Sequence, residues 1–396
     1  MIVYNSKHEE ITVVDEPISS GGEGAVYTIS SPYLYKRNYC VKIYYEKKRT
    51  EDRQRKIDFM VNNPPKSIER SGSRIAWPIE IVYLNNSFAG FIMPLAFPDS
   101  RKLTILTGLS LSKRLDQSWH KYDRKLGKYS LVARMKLINN ISIPIFLLHD
   151  TGIYTLQDFK PDNVLITHNG MVTLCDMDSI QITNGGRLLF PGTAATLDYA
   201  PPEFSNLNVG KSTDMPVEIS WDNFTIAVVF YQLLFGIHPY AVTPKNLKNG
   251  ASNELATNIA NNLFPFGPNA GQVEVIPPPH NNFRIIPPEM QTMFANAFSD
   301  NPLVRPDARD WGILIHSYIS EAGDVQLPNI KVGEPTPEPK PEPKPKPKPA
   351  PTPKPIISES APTNKLNPPK PKFKLWLFLL GIGLFLFGIL ILSSIA

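Results

Sequence analysis

Asp158, Lys160, Asn163 and Asp176 are the residues whose types and spacing could do chemistry. Two carboxylates and an amide gathered at one rim can hold Mg²⁺ on a nucleotide and orient a hydroxyl for attack. The chain between them says how they would meet. Residues 164–167 (VLIT) and 171–175 (MVTLC) are short apolar, β-prone runs around His168-Asn169-Gly170. Asn-Gly between such runs is a strong hairpin signal, because both residues tolerate positive φ. A hairpin returns the chain to its start, so Asn163 falls near Asp176, and Asp158 lies on the loop leading in. A polar surface turn ahead of a hairpin is the plain alternative, since Asp, Asn and Pro crowd turns.

Other segments must position these groups. Residues 11–45 alternate as strands around SSGGEGAVY at 19–27. Glycines let a backbone approach phosphates closely, although a hairpin turn explains them equally well. Lys42 lies in the short strand CVKI, 40–43, where its apolar neighbours imply partial burial and a need for an anionic partner. Residues 49–62 have helical composition with Ile57, Met60 and Val61 on one face, and offer Glu51 and Asp58 as acids. Strands at 75–83 and 88–93 are joined at Asn85-Asn86-Ser87 and end at Met93-Pro94-Leu95. A helical pattern over 131–148 is interrupted by Pro144. The apolar run 220–236 suits a buried central helix, with Asp222 placed to cap its free N–H groups. His238 reads as structural, with no metal partners nearby in sequence, and 311–319 as a closing helix.

Taken in order, these pieces resemble the eukaryotic-type protein kinases. DFKPDN at 158–163 is similar to their catalytic loop, and Asp176 stands at their metal-binding Asp. The resemblance implies that Asp158 accepts the proton of the attacking hydroxyl and Lys160 neutralises charge on the phosphoryl group. Asn163 and Asp176 would hold Mg²⁺. Gly21 and Gly24 match the second and third glycines of GxGxxGxV and Val26 its valine, with Gly22 in the same loop and Ser19 in place of the first glycine. Lys42 corresponds to the lysine that meets the α- and β-phosphates of ATP, and Met93 and Leu95 to the hinge whose backbone reads adenine. GTAATLDYAPPE at 192–203 resembles the end of an activation segment. There Thr196 would contact the catalytic loop, Glu203 would pair with Arg305, and Asp222 would brace the catalytic loop.

The GGEG loop, DMDS at 176–179 and DNF at 222–224 resemble a bacterial, YegI-like subgroup of these Ser/Thr kinases. Three departures stand out. Asp178 takes the Gly position of DFG. Leu156-Gln157 replace the usual His-Arg, so a phosphate on the activation segment lacks its fixed partner. Neither Glu51 nor Asp58 matches well the helix Glu that ordinarily pairs with the lysine, although Asp58 has the more familiar spacing.

Charge and composition divide the chain. Of 40 prolines, 15 fall within 331–374, together with ten Lys and four Glu. That segment is therefore +6 against +5 for the whole chain and leaves the remainder near neutral at −1, so the basic balance does not point to nucleic acid. Proline at every second position from 335 to 355 favours an extended polyproline II spacer. Residues 375–395 carry no charge and can cross ~30 Å of hydrocarbon as a helix. Lysines at 365, 370, 372 and 374 place the preceding domain on the cytoplasmic side. Cys40 and Cys175, the two cysteines, suit a reducing compartment and small buried positions.

The expected architecture is α+β, a bilobal protein-kinase-like fold followed by a Pro-rich linker and a transmembrane tail anchor. The β-rich front lobe spans 1–95, the helical back lobe 96–325, the linker 326–372 and the span 373–396. The implied function is a membrane-tethered serine/threonine protein kinase using ATP and Mg²⁺, with protein Ser/Thr hydroxyls as acceptors. A pseudokinase scaffold and a small-metabolite kinase are the alternatives. The first draws on Ser19, Asp178 and the missing Glu; Lys160 speaks against the second.

Overall fold

A computed structural model describes residues 1–30, 38–70, 72–193, 195–204, 216–245 and 253–322. The expected linker and membrane span lie outside the described residues. The front of the chain runs β1 (Ile2–Asn5), β2 (Glu10–Thr12), β3 (Ser19–Ser20), β4 (Gly24–Thr28), β5 (Tyr39–Tyr44) and α1 (Glu51–Asn62). It continues through β6 (Glu69–Arg70), β7 (Ser73–Ile75), β8 (Glu80–Leu84) and β9 (Ser87–Pro94). Seven of these strands form one antiparallel sheet in the order β2-β1-β8-β9-β5-β4-β3.

Alternation along β5 sets up the site. Val41 and Ile43 enter an apolar cluster with Val3, Ile11, Val82 and Ile92. Period two then puts Cys40, Lys42 and Tyr44 on the opposite face, where Tyr44 joins Ile57 and Met60 of α1 in the main core. Gly90 lets β9 lie close to β5, since a Cβ there would fall 1.8 Å from the Lys42 carbonyl oxygen. The turn between β8 and β9 has Asn85 and Asn86 at φ 51° and 60°, the two-residue hairpin that asparagines tolerate.

The expected strand 75–83 is two elements. Ile75 ends β7, and the chain then leaves the extended ladder so that Trp77 can bury itself completely. Its indole N–H donates to the Met60 carbonyl at 3.1 Å, and its ring meets Tyr154 edge-on. Pro78, which has no N–H to give a ladder, sits in the same break.

The rest is mainly helical. In chain order come β10 (Arg101–Lys102), α2 (Thr104–Thr107), α3 (Lys128–His149), β11 (Tyr154–Thr155), β12 (Val164–Ile166), β13 (Val172–Leu174), β14 (Gln181–Asn184) and β15 (Arg187–Phe190). Then follow α4 (Ile219–Phe235), α5 (Leu255–Ala260), α6 (Pro288–Ala297) and α7 (Ala308–Ala322). A second sheet, β10-β12-β13-β7-β6, sets β7 parallel to β13, pairing Thr173 with Arg74 and Leu174 with Ile75. Backbone from the front of the chain thus holds the hairpin that leads to Asp176.

Pro144 does not interrupt α3, which is continuous from Lys128 to His149. A mid-helix proline costs about 3 kcal/mol. Burial of α3 on several faces, including Val132, Met135, Leu137, Ile138 and Leu147, offsets it. α4 is the buried central helix expected. It begins at Ile219, so Asp222 lies in its first turn rather than at the cap, and its carboxylate is used elsewhere. At the other end Gly236 takes φ +74°, and Arg124 and Arg134 donate to the Leu233 carbonyl at 2.9 and 2.7 Å. Arg124, from the stretch between α2 and α3, and Arg134 of α3 thus cap α4. His238 is structural: burial lowers its pKa to about 3, so the neutral ring donates from Nε2 to the Asp198 carbonyl at 2.8 Å.

Candidate active site

β3 and β4 are joined by the glycine turn, closed by the Gly21 N–H donating to the Gly24 carbonyl at 2.9 Å. A Cβ at Gly21 or Gly22 would meet nothing within 4 Å, so these two leave open space above the strand. Gly24 differs, because its Cβ would fall 2.3 Å from the Ile43 carbonyl oxygen. It brings β4 against β5 and sets Val26 directly opposite Lys42. Glu23, between the glycines, pairs with Arg53 of α1 at 2.6 Å, and that guanidinium lies 4.5 Å over the Tyr44 ring.

Lys42 Nζ meets Asp176 Oδ1 at 3.1 Å and both oxygens of Asp178, at 2.6 and 2.8 Å. The Tyr44 hydroxyl donates to Asp178 Oδ2 at 2.6 Å. Burial opposes ionisation of Asp178, yet Lys42 and the Tyr44 hydroxyl hold its carboxyl below the usual range. Asp176 is raised, by burial first and then by the charge of Asp178. For Lys42 burial works downward, and the two aspartates outweigh it and raise the pKa.

Neither Glu51 nor Asp58 is the partner of Lys42. They are seven residues apart on one helical stripe, and both are exposed. The inward stripe carries Lys56, Ile57 and Met60, with Arg53 half-buried beside it. Lys56 is 5% exposed, its Nζ donates to the Pro191 carbonyl at 3.3 Å, and burial lowers its pKa from 10.5 to about 8. The unfolded chain therefore binds more protons between pH 8 and 10.5, and stability rises with pH across that window. Lys56→Met should stabilise the protein at pH 7 by up to about 3 kcal/mol, with the gain shrinking as pH rises above 8. Chemical melts at pH 7 and 10 would check this. An equal gain at both values would mean that packing, not the charge, is responsible.

The catalytic-loop residues converge as expected. Asp158, 4% exposed, receives Lys160 Nζ on Oδ2 at 2.6 Å and the Thr196 hydroxyl on Oδ1 at 2.7 Å. Lys160 also donates to Thr196 Oγ1 at 3.0 Å. Asn163 donates from Nδ2 to the Asp158 carbonyl at 2.9 Å, and the Cys175 N–H donates to the Asn163 carbonyl at 2.9 Å. This places the amide beside the turn that starts at Asp176, itself at φ +61°. The hairpin pairs Val164 with Leu174 as the sequence implied, although only Gly170 of the turn has positive φ, at 85°.

Asp222 is fully buried and accepts the Leu156 and Gln157 N–H groups at 2.6 and 2.9 Å and His149 Nε2 at 2.9 Å. Glu203 and Arg305 form a bidentate pair at 2.6 and 2.8 Å. At the strand end, the Leu95 N–H is already given to the Asn38 carbonyl at 2.6 Å, and Arg74 donates to the Leu95 carbonyl. Met93 pairs with Cys40 across the sheet and is half-buried. Cys40 is buried as expected and Cys175 is half-buried, and desolvation pushes both thiols up to about 12.

Sequence reasoning missed Tyr44, Glu23, Arg53 and Lys56, and gave Asp178 no role. Both signals were present in sequence: the alternation that places Tyr44 on the Lys42 face, and the Ile57–Met60 stripe whose phase turns Lys56 inward. The donor set suits Mg²⁺, a hard cation that takes one or two protein oxygens beside phosphate oxygens. Asp176 uses Oδ1 on Lys42 and Asn163 uses its Nδ2 on Asp158, so Asp176 Oδ2 and Asn163 Oδ1 remain for a metal.

A model of the protein kinase domain matches residues 81–319, more than half of the chain. Protein kinase YegI of Escherichia coli (strain K12) is 26% identical over 309 residues, covering 76% of this chain and 44% of that protein. Rho-associated protein kinase let-502 of Caenorhabditis briggsae is 32% identical over 94 residues, 24% of this chain and 8% of that protein. Serine/threonine-protein kinase PEPKR2 of Arabidopsis thaliana is 27% identical over 117 residues, 29% of this chain and 23% of that protein. The chain thus matches less than half the length of each of these relatives.

Proposed function

The chain belongs to the protein kinase family, as a bacterial eukaryotic-type member of the YegI-like kind, and from that premise we propose that it transfers the γ-phosphoryl group of ATP to serine or threonine hydroxyls of proteins. The observation that carries the reading is the meeting of Lys42 with Asp176, 3.1 Å apart, beside the Asp158–Lys160–Thr196 cluster. Asp158 accepts the proton of the acceptor hydroxyl, and Lys160 meets the charge on the group in transit. Asn163 and Asp176 hold the metal. Mg²⁺ supplies neutralisation of phosphate charge when bound. Lys42 reaches the α- and β-phosphates beneath the glycine turn, with Val26 opposite it lining the roof over the base. Hinge reading falls to backbone groups near Met93 and Leu95, where the Leu95 amide would first have to leave Asn38.

The uncharged run 375–395 and its preceding lysines support a membrane tether with the kinase on the cytoplasmic face. Incubation with γ-labelled ATP, Mg²⁺ and general acceptors, followed by phosphoamino-acid analysis, tests the chemistry. Label on phosphoserine or phosphothreonine is expected. Label confined to phosphotyrosine or to a low-mass metabolite would defeat the reading. Recovery of the full chain in alkali-washed membranes, with its loss on deleting 375–396, tests the tether.

A further inference from the structure

In the family that this chain resembles, the lysine over the phosphates is oriented by a glutamate on the helix that follows it. Here that helix brings two cations to the site. Arg53 is engaged by Glu23 at 2.6 Å, and Lys56 by the Pro191 carbonyl at 3.3 Å. The acids of α1 that could have served, Glu51 and Asp58, face water. The anion on Lys42 comes instead from Asp178, whose side chain is only 2% exposed. Its two oxygens receive three hydrogen bonds: two from Lys42 Nζ, at 2.6 and 2.8 Å, and one from the Tyr44 hydroxyl at 2.6 Å. Asp178 lies two residues beyond Asp176 on one short turn, Met177–Ser179, pinned where the Ser179 hydroxyl donates to the Asp176 carbonyl at 2.7 Å.

We propose that Asp178 is the positioning residue for Lys42, taking over from the missing helix glutamate. The lysine is then set by the same turn that carries the metal-binding Asp176, and not by the placement of α1. The helix keeps a different task. Through Arg53 and Glu23 it holds the glycine turn, and through Lys56 and Pro191 the segment after β15. An aspartate at a position that is ordinarily glycine thus acquires a reason. Its carboxylate replaces the one that α1 lacks, and Tyr44, on the same face of β5 as Lys42, is the hydroxyl that completes its shell.

The proposal rests on the kinase reading, so the test needs a readout apart from transfer. MgATP affinity by direct titration, alongside kcat and KM, is measured for wild type, Lys42→Met, Asp178→Asn, Asp178→Gly and the double variant Asp178→Gly/Lys56→Glu. Lys56 is a buried α1 side chain within electrostatic reach of Asp178, so Lys56→Glu returns a carboxylate to that site from the helix. Asp178→Gly is expected to weaken kcat/KM about 100-fold or more, with MgATP affinity falling as far as in Lys42→Met. The double variant should recover at least about tenfold of each loss relative to Asp178→Gly, with Lys56→Glu alone as the control for the lost Lys56–Pro191 contact. Asp178→Asn keeps the volume and removes the charge, so it guards against a folding defect and should match Asp178→Gly. A folded Asp178→Asn with wild-type kcat/KM and affinity would overturn the proposal, as would a double variant no better than Asp178→Gly. If wild type binds MgATP but transfers nothing, the kinase reading fails, and the affinity series alone decides the role of Asp178.

Discussion

Asp158→Asn should reduce phosphoryl transfer by about 10²- to 10⁴-fold while leaving the melting temperature close to wild type. The side chain is buried, and its two oxygens are occupied by Lys160 and Thr196 at 2.6 and 2.7 Å. Asparagine keeps the shape: its Oδ1 can accept from Lys160 while its Nδ2 donates to the Thr196 hydroxyl, which can accept as well as donate. No buried donor is stranded, so the loop is expected to hold. What is lost is the capacity to take a proton as the acceptor oxygen attacks. Binding should respond differently, since Asp158 makes no proposed contact with the nucleotide: MgATP affinity is expected to stay within about threefold of wild type. Lys42→Met should show the complementary pattern, losing affinity as well as turnover. Transfer that persists in both variants would remove the assigned roles. Loss of affinity in Asp158→Asn would mean that the aspartate holds nucleotide or metal and is not a base.

The two outcomes separate because the groups come from different lobes. Lys42 belongs to a strand of the front sheet, whereas Asp158 sits on a loop braced from the back by α4. What joins them is the turn at Asp176 and Asp178, and the β7–β13 pairing that holds the hairpin before it. This arrangement also shows why part of the site could be read in sequence and part could not. The hairpin, the loop DFKPDN and the turn at Asn85-Asn86 are local: a few residues of known conformational preference decide each. The Glu203–Arg305 pair spans 102 positions and was reachable only because both ends sit in familiar strings. The phase of α1 was legible, since its Ile57–Met60 stripe is the buried one, but the lysine's partner was not: Asp178 lies 136 positions from Lys42 with nothing local to join them. The parallel contact of β7 with β13 joins segments about 100 residues apart without any turn signal between them. Pro144 was misread for a related reason. Its local penalty is visible in sequence, while the burial of α3 that offsets it is not.

Asp222→Asn should be among the most damaging single changes, costing about 3–5 kcal/mol. That is about a fifth or more of the stability of an ordinary domain. The carboxylate is fully buried and acts only as an acceptor, from the Leu156 and Gln157 N–H groups and from His149 Nε2. An amide has one oxygen for these three donors, and its NH₂ must face at least one of them, so a buried donor loses its partner. The site also carries strain that the carboxylate helps to hold. Gln157 has φ +60°, a left-handed conformation that costs a non-glycine residue about 1 kcal/mol or more. Such a conformation persists only where its surroundings fix it on several sides. Asp222 holds its N–H, and the Trp221 indole donates to its carbonyl at 2.8 Å. Releasing the first leaves the loop free to relax, and Asp158, one residue further on, moves with it. The expected signature is therefore double: a fall in melting temperature, and a drop in kcat measured well below that melt. Asp158→Asn should give the second without the first. Wild-type turnover at low temperature in a destabilised Asp222→Asn would show that the aspartate supports the fold but does not hold the catalytic loop in its working shape.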